Sequence, residues 1–148
     1  MEPKAVAVLA TAFAGGLIAL QAPINSTLGK SVGSLAAASV SFAIGLAALV
    51  SITVLFAGGF GDLGEAKGLS WYYLTGGILG AVYVTCALIA VRTLGAGGVT
   101  AATIAGQLTM SVIIDRAGIL GLEERGLDFE RILGIALLTA GTYLVVRE

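Results

Sequence analysis

The sequence predicts an all-α integral membrane protein with five transmembrane helices. Of its 148 residues, 57% are hydrophobic and only 11% charged, and mean hydropathy is +1.01. Soluble domains average roughly 45–50% apolar and 25% charged residues, so a soluble fold of this size could not hide so much apolar surface. The few charges also divide the chain into five uncharged stretches: Ala5 to Gly29, Ser31 to Gly61, Gly68 to Val91, Thr93 to Ile114 and Ile132 to Val146. The first four contain 25, 31, 24 and 22 residues, enough for the roughly 17–25 that a helix needs to cross a bilayer core. The fifth contains 15, with Leu127 and Phe129 extending its apolar reach. Hydrocarbon offers the backbone no hydrogen-bonding partner, so each stretch is expected to be helix rather than strand.

The expected helices cover about 4–28, 34–58, 70–91, 99–115 and 128–146, forming one domain over 1–148. Lys4 followed by an apolar run resembles a secretory signal, but the run outlasts a signal's roughly 7–15-residue core, and no A-x-A-like pair follows near Gln21. The first helix is therefore expected to be retained. Pro23 is expected to bend its second half. Gly29, Lys30 and Gly33 make a turn into the second helix, with Ser34 as a plausible N-cap. Residues 58–68 are glycine-rich and charged, the composition of a water-exposed loop. Trp71, Tyr72 and Tyr73 mark an interfacial aromatic belt where the third helix enters. A tight turn is expected from Arg92 to Gly98. The segment from Asp115 to Arg131 holds eight of the seventeen charges and belongs in water or among headgroups. The last helix starts at about Leu127 or Phe129 and ends before Arg147 and Glu148.

Five crossings put the termini on opposite sides. Lys4, Lys67, Arg116, Arg125 and Arg131 then share the N-terminal side, and Lys30, Arg92 and Arg147 the other. Five cations against three is a small bias toward a cytoplasmic N-terminus, compatible with both orientations.

Several chemistries lack their parts. A net charge of −1 with no basic run gives no reason to bind nucleic acid. There is no His, and the single Cys86 lies inside an apolar stretch, where it reads as a small buried residue. No metal, cofactor or enzymatic thiol is expected.

The polarity inside the spans is neutral and lies on faces. At 100° per residue, Thr100, Thr103, Gln107 and Ser111 share an arc of about 80°. Such a stripe either hydrogen-bonds neighbouring helices, at about 0.6 kcal/mol per bond, or lines a path for a solute. Gln21 and Asn25, four residues apart, flank Pro23, which lacks an N–H and frees a carbonyl one turn earlier. Either these residues end the first helix at the interface, or they build a binding site beside a disrupted helix, as transporters do. Tyr72, Gly76, Gly80, Tyr83 and Ala87 share a face on the third helix. Gly76-x-x-x-Gly80 is a close-packing pattern, and Ser34, Ser41 and Gly45 form a small-residue stripe on the second. Packing is the expected role of both, with the Tyr83 hydroxyl deep enough to reach a cavity. Asp115, beside Arg116, is expected at the interface, solvated or paired, with proton coupling as the alternative. No acid or base lies deep within a span.

Gln21-Ala-Pro-Ile-Asn25, Leu28-Gly29, Ser41-Phe42-x-x-Gly45, Gly76-Gly77-x-x-Gly80-Ala81-x-Tyr83 and Ala105-Gly106-Gln107-Leu108, with Asp115 eight residues beyond Gln107, together resemble the YdcZ-like family. This is a five-helix branch of the drug/metabolite transporter superfamily, and the likeness runs through nearly the whole chain. The family pattern often follows its Asp with His-Phe-Gly, where this chain has Arg116-Ala117-Gly118, so a role for that His is absent. The resemblance implies a multi-pass protein of a bacterial-type inner membrane that transports small molecules, including multidrug or metabolite export. It also implies an antiparallel homodimer, or pairing with an oppositely inserted paralogue, equivalent to a ten-helix inverted repeat.

Related small multidrug transporters use a membrane-embedded glutamate that the first helix here lacks, which disfavours cation/proton antiport by that route. The expected function is alternating-access movement of a small polar or amphipathic solute through a subunit-interface cavity. Gln21, Asn25, Tyr83, Thr103, Gln107 and Ser111 are the candidate lining residues. The alternative is a non-transporting scaffold or accessory subunit whose polar stripes only join helices.

Overall fold

The computed structural model describes residues 2–147 apart from Leu127, and the side chain of Asp62 is likewise outside it. The expectations that involve Leu127 and Glu148 lie outside the described residues. Four helices are long and apolar enough to cross a membrane: Pro3–Val32, Ser34–Phe56, Trp71–Ala117 with its 3₁₀ entry, and Phe129–Val146. Among the described residues no strand occurs. The chain divides into two compact units, Met1–Arg92 and Thr93–Glu148.

In the first unit, α1 (Pro3–Val32) opens with Pro3 in its first turn, where the missing N–H costs nothing. It stays helical through Pro23 and ends at Gly33, whose φ of +88° suits glycine. The helix thus continues past Leu28 and Gly29, and Gln21 to Ser26 lie within it rather than at its end. The reason is local: Gly29 keeps helical geometry and its carbonyl accepts the Gly33 N–H at 3.1 Å.

Helix α2 (Ser34–Phe56) follows after that one residue. Ser34 is its first helical residue, and Gly33 takes the N-cap position without a side-chain cap. The helix stops at Phe56, short of Gly58, because Gly58 and Gly59 take positive φ of +77° and +93°. The Thr53 carbonyl accepts the N–H groups of both Ala57 and Gly59, closing that end. Two exposed 3₁₀ segments follow, Gly61–Gly68 and Trp71–Thr75. In the second, Trp71 meets Tyr72 edge-on at 6.4 Å between centroids, and Tyr72 meets Tyr73 at 4.5 Å.

Helix α3 (Gly76–Ala117) contains 42 residues and one non-helical position, Gly95, at φ +67° and ψ 171°. Instead of a turn across Arg92 to Gly98, only this glycine leaves the helix. Gly97 and Gly98 remain helical, and each brings its backbone near α4 (Phe129–Val146). A Cβ on them would lie 4.0 Å from Val145 and 3.7 Å from Val146, respectively.

The buried interior is small. In the first unit, Ala38, Val84 and fully buried Leu88 pack together with Tyr83 against them. Outward-facing side chains are large and apolar: Phe13 is 71% exposed, Leu35 74% and Leu55 73%. In water such surface would drive aggregation; in a bilayer it is the solvated surface.

In the second unit, Thr142 Oγ1 donates to the Ala101 carbonyl at 3.0 Å, tying α4 to α3. Asp128 caps α4, accepting the Arg131 N–H at 3.2 Å. The connecting loop folds back on the end of α3. The Arg125 N–H donates to the Asp115 carbonyl at 2.8 Å, Arg116 pairs with Glu124, and Arg131 Nη1 lies 3.3 Å from Asp115 Oδ2. Gly118 permits this fold: its φ is +58°, and a Cβ there would meet Glu124 backbone at 3.4 Å.

Candidate functional site

The polar residues of α1 lie around its proline. Pro23 cannot donate to the carbonyl one turn earlier, and the Thr27 hydroxyl donates to the Pro23 carbonyl at 3.0 Å. One turn apart, Gln21 is half-buried and Asn25 only 4% exposed. The Asn25 Nδ2 group has no hydrogen-bond partner among the described residues. An unmet buried amide costs about 1–3 kcal/mol, so its retention asks for a reason.

Ser26, equally buried, is satisfied. Its hydroxyl oxygen accepts the Arg92 Nε–H at 3.2 Å, and Arg92 Nη2 donates to Ser34 Oγ at 3.3 Å. Gly29 makes room for this guanidinium, since a Cβ at position 29 would stand 3.0 Å from Arg92 Nη2. Beside it opens a cavity of about 510 Å³ lined by Pro23, Ser26, Thr27, Lys30, Val91 and Arg92. Both cations are exposed. Among the described residues neither pairs with a carboxylate.

Tyr83 is half-buried against the Ala38–Val84–Leu88 cluster. Gly80 lies close to α2, where a Cβ would be 3.3 Å from the Phe42 ring. Gly76 and Gly45 have no described neighbour within 4 Å of that position, and Ser41 is half-buried. On the second unit Thr103 is half-buried, while Gln107 and Ser111 are exposed. Ser111 Oγ donates to the Gln107 carbonyl at 2.7 Å. The Gln107 amide makes no side-chain hydrogen bond among the described residues. Asp115 is held by Arg131, with their side chains 29% and 30% exposed.

The sequence profile of the family described as "Putative inner membrane exporter, YdcZ" matches residues 6–144. The chain belongs to the YdcZ family. No curated protein and no solved structure matches it. Membership together with the long apolar helices makes it a multi-pass inner-membrane protein. The family description points to a transporter rather than to an enzyme.

The Ser26–Arg92–Ser34 contact and the pocket beside it are absent from the sequence-based expectations. A signal was available: Lys30 and Arg92 fall on one side of the membrane in the five-crossing count, and Ser26 and Ser34 flank Gly29. What hid the contact is distance along the chain, since Arg92 is 66 residues from Ser26.

Proposed function

We propose that the chain is an exporter that moves a small polar or amphipathic solute by alternating access, working as an antiparallel dimer. One observation carries this reading: the buried, unpartnered Asn25 amide beside Gln21 and Pro23. A buried neutral amide donor with no described partner is suited to a ligand's hydrogen bond, and Pro23 beside it leaves a carbonyl one turn earlier without its N–H partner. Because Gln21 and Asn25 are uncharged, they suit a solute's hydroxyl, amide or carbonyl better than a strong cation.

The length of α3 supports five crossings. Its 42 residues would extend about 63 Å at 1.5 Å per residue, twice a hydrocarbon core of about 30 Å. The non-helical Gly95 is the point at which it would divide into two spans. Five crossings leave one protomer with opposed termini, and an inverted second copy restores ten helices. Gly76 and Gly45, which have no described neighbour within 4 Å of a Cβ position, suit an approach by that copy. Tyr83, Thr103, Gln107 and Ser111 offer further neutral hydrogen-bonding groups on α3. Proton coupling through Asp115 would first require the Arg131 pair to open.

The test is flux in liposomes containing the purified protein, screened across polar and amphipathic solutes by solid-supported membrane electrophysiology or radiotracer uptake. A solute should be moved by the native protein and slowed at least tenfold by Asn25→Ala. Flux at the native rate in a folded Asn25→Ala protein would remove Asn25 from the site. Absence of flux for every solute would favour the scaffold role.

A further inference from the structure

We infer that the Lys30–Arg92 pocket of the first unit binds a phosphate-type anion at the membrane surface. Its location follows from the joint between α1 and α2. Helices α1 and α2 are joined by Gly33 alone, so if both cross the membrane, their junction is at a bilayer surface. Lys30 is in the last turn of α1. Arg92 bonds Ser34, the first residue of α2, and Ser26, which precedes the junction by seven residues or about 10 Å of helix. The guanidinium therefore sits at headgroup depth.

Its chemistry follows from the hydrogen bonds. Arg92 spends two N–H groups on neutral hydroxyls, which orient the planar fork without neutralising it. The remaining Arg92 donors, the Lys30 ammonium and the Ser26 hydroxyl, whose own O–H is uncommitted among the described residues, border one cavity, of about 510 Å³. Two cations with no carboxylate partner among the described residues, together with a hydroxyl donor, match the oxygens of a phosphate group, which guanidinium grips in bidentate fashion. Basic pockets between transmembrane helices hold lipid headgroups by the same chemistry. A phospholipid headgroup and a soluble phosphate share it. The inference does not depend on transport.

The test uses the full-length protein in a neutral maltoside detergent. Native mass spectrometry compares retention of phosphatidylglycerol with phosphatidylcholine, and isothermal titration calorimetry measures inorganic phosphate. At least tenfold preference for phosphatidylglycerol identifies a lipid site; phosphate binding without that preference identifies a soluble anion. Either signal should fall at least tenfold in Lys30→Gln and Arg92→Gln and persist in Lys67→Gln. If Arg92→Gln does not fold, the exposed Lys30 carries the test alone. The inference is overturned if the native protein shows neither signal, or if Lys30→Gln binds as the native protein does.

Discussion

Ser26 and Asn25 are adjacent and equally buried, yet only Ser26 has its hydrogen bond. Arg92 donates to the serine hydroxyl at 3.2 Å, while the asparagine Nδ2 donates to nothing described. Arg92 thus fixes one face of α1 and leaves the neighbouring amide unspent. The contrast separates a structural polar residue from one available to a ligand, and opposite substitution effects follow.

Asn25→Leu removes an unmet buried donor while keeping the branched shape of the side chain. Thermal unfolding in detergent should show unchanged or raised stability, by up to about 1–3 kcal/mol, while flux of the transported solute falls at least tenfold. Ser26→Ala should instead lower stability, because it strips Arg92 of one acceptor.

Gly118→Ala places a Cβ on a residue at φ +58°, 3.2 Å from Glu124 Cβ. The left-handed conformation and the crowding both oppose it, and a loss of about 1–3 kcal/mol is expected. Circular dichroism melts of the purified protein measure this.

Asp115→Asn, Arg131→Gln and the double variant form a cycle for the 3.3 Å pair. Both side chains are close to one-third exposed, so solvent screening limits the coupling to about 0.2–1 kcal/mol. If the pair is structural, Asp115→Asn leaves solute flux within twofold of native at every pH. A steep change in its pH profile would assign proton coupling to Asp115.

Gly80→Val and Gly76→Val should separate internal packing from assembly. Gly80 faces Phe42 within the protomer, whereas Gly76 has no described neighbour. Melting should drop for Gly80→Val, and the cross-linked dimer fraction should drop for Gly76→Val. Equal dimer fractions in native protein and Gly76→Val would remove Gly76 from the interface.

Hydropathy was sufficient to read the apolar stretches, because bilayer insertion is governed by composition summed over some twenty residues. Helix ends were harder. Gly29, Gly97 and Gly98 look like breakers but are helical positions where another group approaches closely, while Gly33 and Gly95 leave helical geometry. Identical residues do both jobs, and only backbone angles or neighbours distinguish them. The adjacency of Gln21 and Asn25 on one face follows from helical spacing alone. That Asn25 lacks a partner depends on the packing around it, and the place of Arg92 depends on tertiary contacts with α1 and α2. Neither has a local signature.

Gly33 also bears on how the protein is oriented in the membrane. With Gly33 alone between them, α1 and α2 have no connecting chain in the folded protein, so neither adjoining end can move far without the other. If both helices span the bilayer, the side on which α1 ends is the side on which α2 begins. The orientation of α1 therefore fixes that of α2, and the charges of the later loops bias both together.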